Sequence, residues 1–231
     1  MSEQSYGAVI GKSKTFLSRV ESFPGYLPVA GENSAAELGD AIHGIEIIEE
    51  DVIDLVNDFK QEVFERNQVF SKGEQSIRLT LSPILSYVAG KYGKNSNQHI
   101  VVRHWIGKLR GQRVIPIGSN PDAATHSVSQ MGFNSIVANY NSLIGTCRGF
   151  GASYDPANQK ITVANMTLLA EEAHARNEAV DSAYNLMAPK VAERAAAFAA
   201  LSVLCQCMKN LIKSQYGIKS IQYKMVKGIA I

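Results

Sequence analysis

The chain repeats itself, and no other feature limits its fold as much: residues 26–70 align without a gap to residues 154–198 at a constant offset of 128. Ten of those 45 positions are identical, among them Tyr26/Tyr154, Pro28/Pro156, Asn57/Asn185, Glu65/Glu193, Arg66/Arg194 and Phe70/Phe198. After a four-residue deletion in the second copy the match resumes, pairing Tyr92-Gly93 with Tyr216-Gly217, Ser96 with Ser220, Gln98 with Gln222 and Val102 with Val226. Upstream, at offset 127, Val9, Phe16, Val20 and Phe23 fall on Ile136, Leu143, Cys147 and Phe150. A duplicated segment implies one fold used twice. The expected organisation is a first repeat over residues 1–110, a linker over 111–130 punctuated by Pro116, Gly118 and Pro121, and a second repeat over 131–231.

Apolar spacing assigns helices to both copies. Ile136, Tyr140, Leu143, Cys147 and Phe150 step by fours and threes. So do Met166, Leu169, Ala173, Asn177, Val180, Tyr184 and Met187, after Thr162 as an N-cap. Their first-copy partners are Leu38, Ala41, Ile45, Glu49, Val52, Val56 and Phe59, preceded by Ser34. Each stripe has a polar residue at the same place, Glu49 or Asn177, as where one polar side chain fixes the register of an apolar seam. A third helix is expected to start near Pro189 and stop at Gly217. Its first-copy counterpart runs from about Gln61 to Tyr92-Gly93, with a break or kink around Ser71-Lys72-Gly73 and Pro83. Beyond each Tyr-Gly, the β-branched and aromatic runs His99–Ile106 and Ile221–Val226 read as short extended, β-like tails. The expected fold is therefore all-α, with two pseudo-symmetric tandem helical-bundle repeats, each ending in an extended tail.

Composition sets the class. With 45% apolar and 19% charged residues and a net charge of +2, the chain reads as an ordinary globular protein rather than a disordered or polycationic one. The N-terminus lacks the basic-then-apolar layout of a secretory signal, and no uninterrupted apolar run approaches the length of a membrane span. Three cysteines without framework spacing fit a reducing compartment. A cytoplasmic protein without membrane contact is the expectation.

The run Tyr154-Asp155-Pro156, then Val163-Ala164-Asn165-Met166, then Ala192-Glu193-Arg194, then Tyr223-Lys224-Met225-Val226-Lys227-Gly228-Ile229 resembles an uncharacterised family of bacterial helical proteins with a duplicated bundle. The resemblance covers the second half directly and the first through the internal alignment. It implies a fold and no activity.

No catalytic constellation emerges. Glu171-x-x-His174 has the i,i+3 spacing of carboxylate-bridged di-iron bundles, and His43-x-x-Glu46 stands at the matched place in reverse order. Neither pair lies on the inward stripe, so both read as solvated pairs and no metal is expected. Cys205 and Cys207 project about 200° apart around a helix and cannot readily share a metal. Glycines 145, 149 and 151 lack the preceding strand and the following Lys-Ser/Thr of a phosphate loop. Glu65-Arg66 and Glu193-Arg194 are expected to pair with neighbouring helices. No cofactor and no enzymatic activity are expected.

Charge is distributed unevenly. Residues 32–58 hold nine acids, including Glu46, Glu50 and Asp54, and no Lys or Arg. The tails are basic: Arg103, Lys108 and Arg110 flank Trp105 in the first, and Lys219, Lys224 and Lys227 mark the second. The leading expectation is a structural or interaction protein that self-assembles by acidic-to-basic contacts between molecules. The alternative is nucleic-acid binding through the basic tails.

Overall fold

The computed structural model describes residues 3–29, 32–112 and 131–231. It is all-helical: α1 (Glu3–Glu21), α2 (Ala35–Asn67), α3 (Ile77–Tyr92), α4 (Asn97–Leu109), α5 (Phe133–Gly149), α6 (Val163–Tyr216) and α7 (Ile221–Lys227). A π-helical turn, Gln68–Lys72, extends α2. Among the described residues there is no strand, only the isolated bridge Val29–Glu32. The expected linker lies almost wholly outside the described residues.

The extended tails are corrected to helices. Both begin at serine N-caps: Ser96 Oγ accepts from the His99 N–H at 3.2 Å, and Ser220 Oγ from the Tyr223 N–H at 3.1 Å. Each preceding helix is stopped by a glycine at positive φ, +88° at Gly93 and +89° at Gly217, where a side chain would be strained. In α4, His99, Val102, Ile106 and Leu109 are buried at a helical spacing of three and four, and in α7 Val226 is buried. Packing of that face overrides the β-branched composition.

The break expected before Pro189 is also corrected. Pro189 lies inside the continuous 54-residue α6, and Pro83 lies inside α3. The interruption of the first copy falls where Ser71-Lys72-Gly73 led it to be expected, at the π turn and the Gly73–Ser76 turn, where the Gly73 N–H donates to the Gln68 carbonyl at 2.8 Å, and not at Pro83. A Cβ on Gly73 would sit 2.7 Å from that same oxygen, so a side chain cannot be accommodated without a shift.

The chain divides into two compact units, Met1–Asn57 with Asn185–Ile231, and Asp58–Tyr184. Both boundaries fall inside long helices, α2 and α6, at the aligned residues Asn57 and Asn185. Each unit therefore combines one part of each sequence copy. In the first, Phe16, Val20 and Phe23 of α1 and its following turn pack with Leu38, Ile42 and Ile45 of α2 and with Phe198, Leu201, Cys205, Met208 and Ile212 of α6. In the second, Ile77, Leu81, Ile84 and Val88 of α3 pack with Val102 and Ile106 of α4, Tyr140, Leu143 and Cys147 of α5, and Met166, Ala170 and Ala173 of α6.

Length and composition would let α6 cross a membrane: an 18-residue window reaches a mean hydropathy of 1.5, and 28% of it is buried. Phe198, Leu201, Cys205, Met208 and Ile212 supply core contacts of the first unit, whereas Ala195, Ala196, Ala199, Ala200 and Val203 are exposed.

Candidate functional site

Arg194 is a buried charge of the first unit, 8% exposed. Its Nη1 donates to both oxygens of Glu49 at 3.4 Å, and its guanidinium carbon lies 4.3 Å from the centroid of the Tyr6 ring. The matched Arg66, in the second unit, stacks 3.8 Å from the Phe133 centroid, but Asn177 stands where the first copy has Glu49. Asn177 is buried and donates to Asn134 Oδ1 at 3.1 Å. Desolvation lowers the Arg66 pKa, and the charge of Asp181 works against that shift. The expectation that the Glu-Arg dipeptides reach other helices holds for Glu65, which pairs with Arg176, and for Arg194; Glu193 instead pairs with Lys190 one turn away.

The metal-like pairs fall in different units. His43 and Glu46 belong to the first unit, Glu171 and His174 to the second. His174 lies 3.5 Å from Glu178, Glu46 pairs with Lys14 at 2.5 Å, and no group of three metal-ligating side chains occurs among the described residues.

Burial separates the cysteines. It pushes the thiol pKa of Cys147 and Cys205 up to about 11, Lys209 opposing the shift at Cys205 and a hydrogen bond with Tyr154 opposing it at Cys147, while Cys207 is exposed. Since the thiolate is the nucleophile, a disulfide reagent at pH 8 should modify one thiol quickly in the native protein. The other two should wait for denaturant; a second fast thiol in a native titration would contradict the burial of one core.

Two surfaces of the first unit carry acidic and basic residues singled out in the sequence. On α2, Lys14, Lys190 and Arg194 neutralise Glu46, Asp51 and Glu49, so the acidity of this helix is partly consumed within the fold. Glu50 and Asp54 remain exposed, without ion-pair partners among the described residues, beside Ile47 and Ile53, which are 48% and 49% exposed. Ile47, Glu50 and Asp54 follow at i, i+3 and i+7 and so share one helix face.

The second surface is the turn into α7. Lys219, Lys224 and Lys227 are exposed and form no ion pair among the described residues. On the same turn and helix Ile218, Ile221 and Met225 are 61%, 74% and 38% exposed. The surface is held to its unit by Arg19, which donates to the Met225 carbonyl, and by Val226 in the core. Sequence reasoning located the lysines, but it placed Ile221 and Met225 on a strand and missed that they are displayed beside the charges.

The first basic tail is built differently. In α4, Trp105 is half-buried against the core of its unit and the Lys108 ammonium lies 4.6 Å from its ring centroid. Arg110 donates to Ser82 Oγ at 2.8 Å, and Arg103 is exposed. The indole already carries a cation rather than lying open as a platform for bases.

No family model matches the chain, and neither a curated protein nor a solved structure is similar to it.

Proposed function

We propose that the chain is a non-enzymatic interaction protein made of two homologous helical repeats, which associates with further copies of itself through the acidic face of α2 and the basic surface around α7. The repeat reading is supported by details that recur at aligned positions. Tyr26 donates its hydroxyl to the Asn33 carbonyl at 2.7 Å and Tyr154 to the Ile161 carbonyl at 2.9 Å. Phe198 meets Tyr6 in one unit and Phe70 meets Phe133 in the other; Phe23 meets Tyr216, and Phe150 meets Tyr92. In every such aromatic pair the first copy contacts the second. Each copy thus completes its core with part of the other, as in a domain swap carried out within one chain.

The observation that carries the association is the complementarity of the two surfaces. One offers Glu50 and Asp54 beside Ile47 and Ile53; the other offers Lys219, Lys224 and Lys227 beside Ile218, Ile221 and Met225. Opposite charge steers the encounter, and the apolar residues supply what exposed ion pairs alone do not. Different patches meeting on successive copies make a heterologous contact, which closes into a ring or continues as a filament. The free cysteines fit a cytoplasmic, reducing setting.

Sedimentation at increasing salt tests this. Assembly should be strongest at low ionic strength and weaken as salt screens the contact. Changing Lys219, Lys224 and Lys227 together to Glu should weaken association by about tenfold or more, about 1.4 kcal/mol, without loss of helicity. Glu50→Lys with Asp54→Lys in that background should restore it. A particle that stays monomeric at all salt concentrations would overturn the reading. Loss of oligonucleotide retention at unchanged particle size would replace it with nucleic-acid binding.

A further inference from the structure

The second unit contains a pocket of about 320 Å³ beside the π turn, at the place where four extra residues interrupt the alignment between the copies. Its apolar lining includes Phe70, Ile77, Leu81 and Phe133, and its cationic lining is Arg78 and Arg110. No acid lines it among the described residues, and neither arginine has an ion pair there. Arg110 spends one N–H on Ser82 Oγ, while Arg78 has no hydrogen bond or ion pair among the described residues.

The walls are built rather than incidental. Phe70 and Phe133 are locked edge-to-face at a centroid separation of 4.9 Å, with the Arg66 guanidinium over Phe133. The π turn carries Phe70 and Ser71 to the lining, and it depends on the close approach of Gly73 to the Gln68 carbonyl. Such turns are rare and recur at functional sites. In the second copy α6 runs straight through the corresponding stretch. A desolvated floor with guanidinium groups at its edge suits a ligand with one apolar part and one anionic part. Guanidinium forks match a carboxylate in two hydrogen bonds.

We infer that this pocket binds a small organic anion, a carboxylate carried on an apolar body, with Arg78 and Arg110 holding the carboxylate and Phe70 and Phe133 the body. The inference is independent of self-association, because the pocket and the assembly surfaces share no residue.

The probe is octanoate titrated calorimetrically into the full-length protein, with octanol as its uncharged counterpart. Saturable one-to-one binding of octanoate is expected, weakened at least tenfold by combining Arg78→Gln with Arg110→Gln, while octanol binding stays the same in both proteins. Methyl resonances of Ile77 and Leu81 in the unmodified protein should shift with the same saturation curve, which keeps the test decisive if the double variant does not fold. Absence of saturation, equal octanoate affinity in a folded double variant, or shifts confined to other methyls would each overturn the assignment.

Discussion

Phe198→Ala and Phe70→Ala are each expected to destabilise the protein by about 3–5 kcal/mol, because each removes a ring from a close-packed helical core that cannot collapse onto the void. Phe198 is 3% exposed and its ring lies 4.7 Å from that of Tyr6; Phe70 is 5% exposed and stands edge-on to Phe133. In urea, with a slope of about 1–3 kcal/mol/M, the midpoint of the affected transition should fall by about 1 M or more. The two losses should be nearly additive, since the residues lie in different cores. A midpoint within error of the unmodified protein for either variant would place that ring outside a packed core. The same experiment separates the units: if they melt independently, each substitution should move only one of two transitions.

The sequence made some levels of the structure legible and concealed others, for physical reasons. The stripes of α2 and α6 could be read in part because burial follows the helical period: Leu38, Ile45 and Val52 are buried, as are Met166, Ala173, Asn177 and Val180. Ala41, Val56, Phe59, Leu169 and Met187, by contrast, are half-buried and Tyr184 is 53% exposed, and Ile42 and Ala170 are buried beside the expected positions. The tails look extended in the sequence because Ile100, Val101, Val102 and Trp105 carry β propensity, a weak preference that tertiary packing outweighs. The signs that would have corrected it were present: serine caps at Ser96 and Ser220, and buried positions three and four apart. Pro189 was misread as a start because a proline inside a helix is costly, yet a helix of 54 residues can retain one. Periodicity reveals that two copies exist and is silent on which part of one packs against which part of the other. The composition of the two units was hidden for that reason. The pocket was hidden too, since its lining comes from α2 with its π turn, α3, α4 and α5. One clue stood in the alignment: the change of offset from 128 to 124 marks where the first copy departs from a continuous helix.

Arg194→Met is expected to cost about 3 kcal/mol, and its sign depends on the partner it leaves behind. The Arg194 and Glu49 side chains are only 10% and 17% exposed, so removing the guanidinium strands a carboxylate in a poorly hydrated place. It also removes the cation from the Tyr6 ring, a contact worth about 0.5–1 kcal/mol. Adding Glu49→Leu should recover much of the loss, because an enclosed ion pair replaced by apolar groups of similar size is often tolerated, whereas half of one is not. The aligned Arg66→Met supplies the internal control. Asn177 replaces the carboxylate there, the Asp181 carboxylate whose charge acts on Arg66 is exposed and stays hydrated without it, and the expected cost is about 1 kcal/mol or less, that of the contact with Phe133. Urea unfolding of the three variants beside the unmodified protein decides the matter. Equal losses at Arg194 and Arg66, or a double variant no more stable than Arg194→Met alone, would mean that Glu49 is hydrated in solution and that the ion pair does not organise the core of the first unit.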